Sequence, residues 1–318
     1  MIYIESPWYD PYINLALEEY LLASFDEEVF MLWRNEKSVI VGKNQNTLSE
    51  INVDYVKNNN IAVVRRLTGG GAVFHDLGNL NFSFMVKNKE GLYSNFSRFT
   101  EPILSALEAY GLRAEYGGRN DITIDGKKIS GNAQTVYGGR LLHHGTLLFH
   151  TDFEDLAAVL TVNPLKVQSQ GIQSNRARVA NICEFKHIAV CEFMERAAVG
   201  ECYRLTQDDT ETVFRLADEK YKTWEWNYGY SPKYNYHNEK RFSGGCLEVY
   251  VEVKDGRMEH IKFYGDFFAR SDIAVVEEAL TGTKHNKEEA LSVLQRLRIN
   301  EYFLGISAME VAGTVAPL

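Results

Sequence analysis

Cysteine is scarce in this chain, four residues in 318, and none of Cys183, Cys191, Cys202 and Cys246 falls in a C-x-x-C pair. A zinc ribbon and a thioredoxin-type centre are thereby excluded, and four thiols are too few for a disulfide scaffold in a chain this long. Reduced thiols in a cytoplasmic protein are the expectation. Positive charge is also short. Lys and Arg number 34 against 43 Asp and Glu, giving a net charge of −9. Broad nucleic-acid binding is disfavoured, and a polyanion could be held only at a local basic site. No apolar run approaches the length of a membrane span. The opening MIYIESPWYDPYINLALEEYLL carries acids and no early Lys or Arg, unlike a signal or transit peptide. No internal repeat is visible, and the short Asn58-Asn59-Asn60 run most simply ends a helix. Three signatures are missing as well: the P-loop G-x-x-x-x-G-K-[ST], the dinucleotide fingerprint G-x-G-x-x-G (Phe74 stands where its last glycine would be), and the nucleophile elbow G-x-S-x-G.

What is present is an ordinary globular composition, 45 % hydrophobic and 24 % charged, long enough to favour two domains. Asp10-Pro11 predicts a helix start, and Ile13, Ala16, Leu17, Tyr20 and Leu21 recur at helical spacing behind it. Val29 to Trp33 and Ser38 to Val41 read as strands, Val53 to Lys57 as a short helix, and Ile61 to Val64 as a buried strand. Strand character resumes over Asn81 to Val86. Ile103, Leu104, Leu107 and Tyr110 mark a helix closed by Gly111. Asp125-Gly126 and Gly138-Gly139 each predict a hairpin turn. Asp152 caps a further helix, and a longer one covers about Asp209 to Tyr221. The aromatic stretch from Trp224 to Pro232 and the polar Asn235 to Lys240 read as a turn-rich segment and a linker. Alternation from Leu247 to Val253, a turn at Asp255-Gly256, a strand around Ile261 and Phe263, and helices over about Lys287 to Leu297 and at the C-terminus close the chain. The expected organisation is a large mixed α/β domain over residues 1–237 and a small α+β domain over 238–318.

Three segments can carry chemistry. In Arg65-Arg66-Leu67-Thr68-Gly69-Gly70-Gly71-Ala72-Val73-Phe74-His75-Asp76, three glycines after a buried strand let backbone N–H groups approach a ligand, and two arginines supply forked donors for phosphate or carboxylate. The plain alternative is a glycine-rich turn with solvated arginines, and spacing alone leaves both open. In Gly118-Arg119-Asn120-Asp121 and Lys127 to Gln134, a lysine at a hairpin base followed by Ser130-Gly131 could present its ammonium into a cleft, and Asp121 could hold a hydrated Mg²⁺. A charged, exposed hairpin tip is the better reading for Lys127, and on these residues alone for Lys128 too. In His143-His144-Gly145-Thr146, adjacent strand histidines point to opposite faces, so a shared metal is disfavoured; one lining a pocket and the other solvated is the expectation. His75-Asp76 is a weak candidate for a catalytic pair. Cys183 reads as a buried or half-buried thiol rather than a nucleophile.

RRLTGGGAVFHD (65–76), LGNLNFSFM (77–85), GRND (118–121), KISGNAQ (128–134), HHGTLL (143–148) and WEWNYGYSP (224–232) together resemble the lipoate–protein ligase A group of the biotin/lipoate ligase superfamily. The strings follow in the right order over residues 1 to about 235, and the small C-terminal unit resembles the accessory domain of the longer ligases. The resemblance implies a catalytic α+β domain of mixed sheets flanked by helices. It implies activation of lipoate by ATP and Mg²⁺ to an acyl-adenylate, then transfer to a lysine on a lipoyl domain of a 2-oxo acid dehydrogenase complex or on the glycine-cleavage carrier protein. By motif position Lys128 touches both the lipoate carboxylate and the α-phosphate. Arg66 and Gly71-Ala72-Val73-Phe74 fall on ATP-binding positions. Arg66, Thr68, Gly70, His75, Ser130, Gly131, Ala133 and His144 fall on the lipoate side with Lys128. Thr68 stands where several relatives have serine, and either hydroxyl can donate.

An apolar pocket suits a C8 acyl chain, with Val73, Phe74 and Phe84 as candidate walls. His75, Asp76 and His144 are unranked candidates for taking the proton of the acceptor lysine. Among rivals, the ATP-independent transferases of the superfamily depend on a cysteine. In one branch it directly precedes a glycine, where this chain reads Ser169-Gln170-Gly171-Ile172, and no cysteine occurs before Cys183. Biotin–protein ligases use G-R-G-R-x-[GR], absent here. A non-enzymatic binder is disfavoured by the intact Arg66, glycine loop and Lys128.

Overall fold

The computed structural model describes residues 1–45, 47–118, 120–160, 179–228, 236–254 and 256–316, with the side chains of Leu48 and Ser49 left aside. The first helix, α1 (Pro11–Ser24), starts where the sequence places it: the Asp10 carboxylate accepts from the N–H groups of Tyr12 and Ile13 at 2.8 and 3.2 Å. Its buried face includes Leu15, Leu17, Leu21 and Leu22, and also Glu18 and Glu19.

The strands are β1 (Ile2–Glu5), β2 (Val29–Trp33), β3 (Ser38–Val41), β4 (Ala62–Arg65), β5 (Val73–His75), β6 (Asn79–Lys87), β7 (Ala114–Tyr116), β8 (Asp121–Ile124), β9 (Lys127–Tyr137), β10 (Arg140–Leu148), β11 (Glu201–Cys202), β12 (Tyr236–Phe242), β13 (Gly245–Lys254) and β14 (Arg257–Gly265). Eight of them form a mixed sheet in the order β11-β1-β2-β6-β10-β9-β8-β7. The pairs β11–β1 and β1–β2 are parallel and the others antiparallel. Both hairpin turns form as the sequence predicts, with positive φ at Asp125, Gly126, Gly138 and Gly139.

Strand alternation splits the interior in two. Phe30 and Leu32 of β2 join Leu80, Phe82, Phe84 and Val86 of β6 on one face, under Phe99, Ile103 and Leu107 of α2 (Phe96–Glu108). Val29, Met31 and Trp33 point the other way, to α1 and to Ile40 and Val64. Those last two belong to a second sheet, β4-β3-β5, whose other side packs Val39, Val41, Val63 and Phe74 together. The residues between β4 and β5 are the glycine loop, so the loop lies where the small sheet meets the large one.

The C-terminal unit is an antiparallel sheet β12-β13-β14 with helices Ala274–Leu280, Lys287–Leu294 and Ala308–Val315 and its own apolar core. Here the linker expectation is corrected. Residues 236–240 are part of β12, pairing Tyr236 to Val251 and Lys240 to Leu247. An edge strand needs little apolar surface, which is why its polar composition mimics a linker. A division between residues 237 and 238 would cut that strand. The long helix expected over 209–221 runs from Gln207 to Leu216 and continues as a π-helical turn over Ala217–Tyr221. Arg119, Asp255, the 169–172 string and residues 229–235 lie outside the described residues.

Candidate active site

A cleft of about 200 Å³ opens between the two sheets. Leu15, Trp33, Ile40, Ala72, Val73 and Ala133 give it apolar walls, and Arg66, Lys128, His75 and His144 bring polar groups to it. Strand period explains the selection. Along β6, Asn79, Asn81 and Ser83 alternate with Leu80, Phe82 and Phe84; the apolar set fills the core under α2 while Asn81 reaches the cleft. Along β10, His144 and Thr146 face the cleft and His143 faces the core.

Arg66 is 5 % exposed, and every acceptor it meets is neutral. Its Nε donates to Thr68 Oγ1 at 2.8 Å, Nη1 to the Ile40 carbonyl at 3.1 Å, and Nη2 to the carbonyls of Gly69 and Gly71 at 2.6 and 2.9 Å. Burial lowers its pKa to about 10, with Glu18 opposing the shift and Arg65 adding to it, so it stays charged at neutral pH. A buried cation that borders a cleft with no carboxylate against it is suited to bind an anion there. Its neighbour Arg65 points elsewhere. It donates to the carbonyls of Gly42, Lys43, Gln45, Trp226 and Asn227 and to Thr47 Oγ1, tying Gly42, Lys43, Gln45 and Thr47 to the Trp224–Asn227 helix.

Lys128 sits near the tip of the β8–β9 hairpin, paired with Thr123 beside a bulge at Ile122/Thr123. Its Nζ lies 2.7 Å from Asp121 Oδ1, a contact whose alignment does not complete a hydrogen bond. Gly131 makes room for that ammonium: a Cβ there would lie 3.0 Å from Lys128 Nζ. Asn120 and Asn132 clamp the hairpin root, Asn120 Nδ2 donating to the Asn132 carbonyl at 2.9 Å and Asn132 Nδ2 to the Asn120 carbonyl at 3.0 Å. Lys127 is exposed and faces Glu184 at 3.7 Å.

The histidines divide as strand geometry demands, but the solvated partner expected for His144 does not exist. His143 is fully buried, stacked on Phe99 with a centroid separation of 4.9 Å and bonded to Gln134 and Asn132. Burial drives its pKa well below the usual value. His75 is held by a defined chain. The two protons of Asn14 Nδ2 are shared among the carbonyls of Trp8 and Arg34 and Asn35 Oδ1, so Asn35 turns its oxygen to Asn14 and its Nδ2 to His75 Nδ1, at 3.1 Å. The ring proton is therefore on Nε2, which has no protein partner. Burial first, then Arg66 and His144, depress its pKa to about 3. His75 thus offers the cleft a fixed neutral N–H donor rather than a base. Asp76 is engaged too, accepting from Gly78 and Asp152 N–H groups at 2.9 and 2.8 Å.

Of the residues singled out in the sequence, Arg66, Gly70, Gly71, Ala72, Val73, His75, Lys128, Gly131, Ala133 and His144 line the cleft. Four do not. Thr68 is buried beneath the loop, between Arg66 and His144. Phe74 turns its ring into the core of the small sheet, because β5 alternates Val73 in and Phe74 out. Ser130 is fully buried, its hydroxyl accepting from Asn132. Asp121 stands beside Lys128 without lining the cleft. Phe84, a candidate wall, stacks on Phe30 in the core instead. Residues with no legible signal also contribute: Leu15, Trp33, Ile40, Asn81 and, from the C-terminal unit, Phe268. That unit meets the rest of the chain through Gly265 N–H donating to the Asn44 carbonyl at 2.6 Å and the Tyr93 hydroxyl donating to the Ala269 carbonyl at 3.0 Å. Cys183 is half-buried, its thiol pushed up by burial and Glu184, the opposite of an activated nucleophile.

Residues 10–200 match the family described as the lipoyl protein ligase A/B catalytic domain, and residues 231–314 match the bacterial lipoate protein ligase C-terminus. The lipoate-protein ligase LplJ of Bacillus subtilis (strain 168) is 44 % identical over 94 % of each chain. Among solved structures, P. falciparum LipL1 in complex with lipoate aligns over 93 % of this chain and 94 % of that one, at TM-score 0.78 and 28 % identity. A lipoate-protein ligase A bound with ATP aligns over 72 % and 97 %, at TM-score 0.62 and 32 % identity. The bipartite lipoate protein ligase of Thermoplasma acidophilum, described with its E2 lipoyl domain, aligns over 74 % and 98 %, at TM-score 0.64 and 33 % identity.

Proposed function

The chain belongs to the lipoyl protein ligase A/B family, and from that membership we propose that the cleft between its two sheets is where lipoate is activated. The activity is ATP-dependent ligation of lipoate to protein. The supporting observation is that Arg66, a buried guanidinium with only neutral partners, and Lys128 line one largely apolar cleft beside the glycine loop. Lipoate is a carboxylate on an apolar chain, and this is the complementary surface.

The first step joins two anions. The carboxylate attacks the α-phosphorus of ATP, a new O–P bond forms, and pyrophosphate leaves with the electrons of the broken P–O bond. Mutual repulsion raises that barrier unless cations stand between the reactants. In this reading Lys128 supplies the cation at the reacting atoms and Arg66 holds the acyl or phosphate oxygens, with the backbone from Gly70 to Val73 against the nucleotide. His75 Nε2–H donates to the ligand. Asp121 fits a Mg²⁺ role. It is a partly exposed carboxylate whose Oδ1 is held by the Lys128 ammonium, so an ion would bind there once Lys128 turns to the reactants, and Mg²⁺ typically takes only one or two protein carboxylates along with phosphate oxygens. When bound, the ion would neutralise phosphate charge.

In the second step the amine of an acceptor lysine attacks the acyl carbon, the amide forms, and AMP departs. His144 uses both ring nitrogens, His75 is a donor, and both oxygens of Asp76 hold N–H groups, so none of the three is free to take the amine's proton in this conformation. Lipoyl domains are the acceptors, and those of 2-oxo acid dehydrogenase complexes and the glycine-cleavage carrier protein are the specific proteins we propose. We also place the catalytic unit before residue 229 and the accessory unit from Tyr236 onward. Among the described residues no helix is long and apolar enough to cross a membrane; the use of ATP supports a cytoplasmic place of work.

The test is ATP–pyrophosphate exchange. Exchange that requires free lipoate is the expected result. Absence of exchange, together with acyl transfer from octanoyl carrier protein without ATP, would overturn the reading in favour of the transferase branch.

A further inference from the structure

Glu18 lies in the middle of α1 with its side chain 1 % exposed, and Oε1 receives two hydrogen bonds while Oε2 receives none. A carboxylate in that condition costs stability that an apolar side chain of similar volume would not. Packing therefore does not account for it, and its contacts point to the cleft.

Those contacts form a chain whose donor directions can be derived. Trp33 Nε1 is only a donor, and it donates to Ser83 Oγ at 2.9 Å. The Ser83 proton is then free for Glu18 Oε1, at 2.6 Å. From the other end, Arg66 Nε is only a donor, and it donates to Thr68 Oγ1 at 2.8 Å. Thr68 then gives its own proton to His144 Nε2, at 2.7 Å. His144 keeps its proton on Nδ1 and donates it to Glu18 Oε1, at 2.9 Å. Every donor has one acceptor, and both halves run toward the same oxygen. Trp33, His144 and Arg66 line the cleft; Glu18, Ser83 and Thr68 stand behind it.

We propose that Glu18 is a positioning residue for lipoate activation: its buried carboxylate fixes the donor direction of the chain Trp33–Ser83–Glu18–His144–Thr68–Arg66, and through it the pose of Arg66 and of the residue that begins the glycine loop. An amide in its place weakens the specification. If it turns its NH₂ toward His144, Nδ1 becomes the acceptor and the ring proton moves to Nε2. Thr68 Oγ1 then accepts from both Arg66 Nε and His144 Nε2, and its own proton is left without an acceptor. The hydroxyl that orients Arg66 is no longer fixed in one direction, and carboxylate binding is the step that suffers.

This proposal rests on the ligase reading, so the first measurement does not depend on activity. In ¹⁵N-histidine spectra of the wild-type protein, with His144 assigned by its loss in His144→Gln, the ring should show a protonated Nδ1 and a bare Nε2. The opposite tautomer, or a doubly protonated ring at neutral pH, overturns the chain. The second measurement is kinetic. Glu18→Gln should raise KM for lipoate in pyrophosphate exchange about tenfold, leave KM for ATP within about twofold, and add less than about twofold in a His144→Gln background, the non-additivity expected of residues acting through one another. An unchanged KM, or effects that multiply in the double variant, overturns the positioning role. Wild-type protein without lipoate-dependent exchange would remove the ligase reading while the tautomer result stood.

Discussion

Lys128 and Asp121 meet at 2.7 Å, on neighbouring strands β9 and β8, with side chains 34 % and 23 % exposed. A half-buried pair of this kind contributes only modestly to stability, so the ammonium is held at the cleft without being locked there. It can exchange Asp121 for a carboxylate or phosphate oxygen at small cost. Lys128→Ala should therefore leave the thermal midpoint nearly unchanged and cut adenylate formation by at least about 10²-fold, the scale of losing one charged group aimed at the transition state. Trapping of lipoyl-AMP by chromatography, alongside a melting curve, checks both halves. Wild-type adenylate yield in a folded variant would contradict the role given to Lys128.

Arg66→Lys separates charge from shape. The guanidinium serves four acceptors from three nitrogens, while an ammonium has three donors on one atom. At least one of Thr68, Ile40, Gly69 and Gly71 loses its partner, at about 1–3 kcal/mol for a stranded buried group. The expected outcome is a thermal midpoint lower by at least about 3 °C and a raised KM for lipoate, although the formal charge is kept. A variant as stable and as active as wild type would show that charge alone suffices.

Gly69 sets how closely the C-terminal unit approaches the loop. A Cβ at that position would lie 2.6 Å from the Phe267 carbonyl oxygen, a backbone atom that cannot swing aside. Gly69→Ala should push the unit away and loosen Phe268 over the cleft. Small-angle scattering is the measurement, and an increased radius of gyration is the expected result. A profile superimposable on wild type would mean that the contact yields locally.

His75 carries a pH consequence whose sign is fixed. Its pKa falls from an unfolded value near 6.5 to about 3 in the fold. Between those values the unfolded chain binds more protons than the native one, so stability rises with pH there and is lost as pH falls from about 6.5 toward 3. One such group contributes a slope of at most about 1.4 kcal/mol per pH unit. His143, also depressed by burial, adds to the same acid limb. His75→Gln should flatten the limb without abolishing it. Urea unfolding at pH 4.5 and 7.0 reads the difference directly, and equal slopes for variant and wild type would show that His75 is neutral for another reason.

The sequence was legible where local chemistry decides. The capped start of α1, the two turns with positive φ, and the alternating β13 all formed as read, because a side-chain cap, a glycine-compatible φ and a period of two are properties of a few neighbouring residues. It misled where composition stands in for position. The polar 236–240 stretch pairs as an edge strand. Glu18 and Glu19 interrupt the apolar run of α1 and carried no signal in the sequence, yet both are buried, Glu19 against Lys220 and Tyr221.

By itself the sequence determined the inventory: a glycine loop behind two arginines, a lysine followed by Ser130-Gly131, a histidine pair split across a strand, and no cysteine placed for acyl transfer. Only the tertiary structure decided which of these share a cleft. Alternation turned Val73 inward and Phe74 outward, put Ser130 behind Asn132, and brought Trp33, Ser83, Glu18, His144 and Thr68 into one hydrogen-bonded line from five separate segments. The reason is physical. Strand period fixes which side of a sheet a residue takes, but which sheet lies opposite, and which buried polar group then finds a partner, depends on contacts between residues as far apart in sequence as Glu18 and His144.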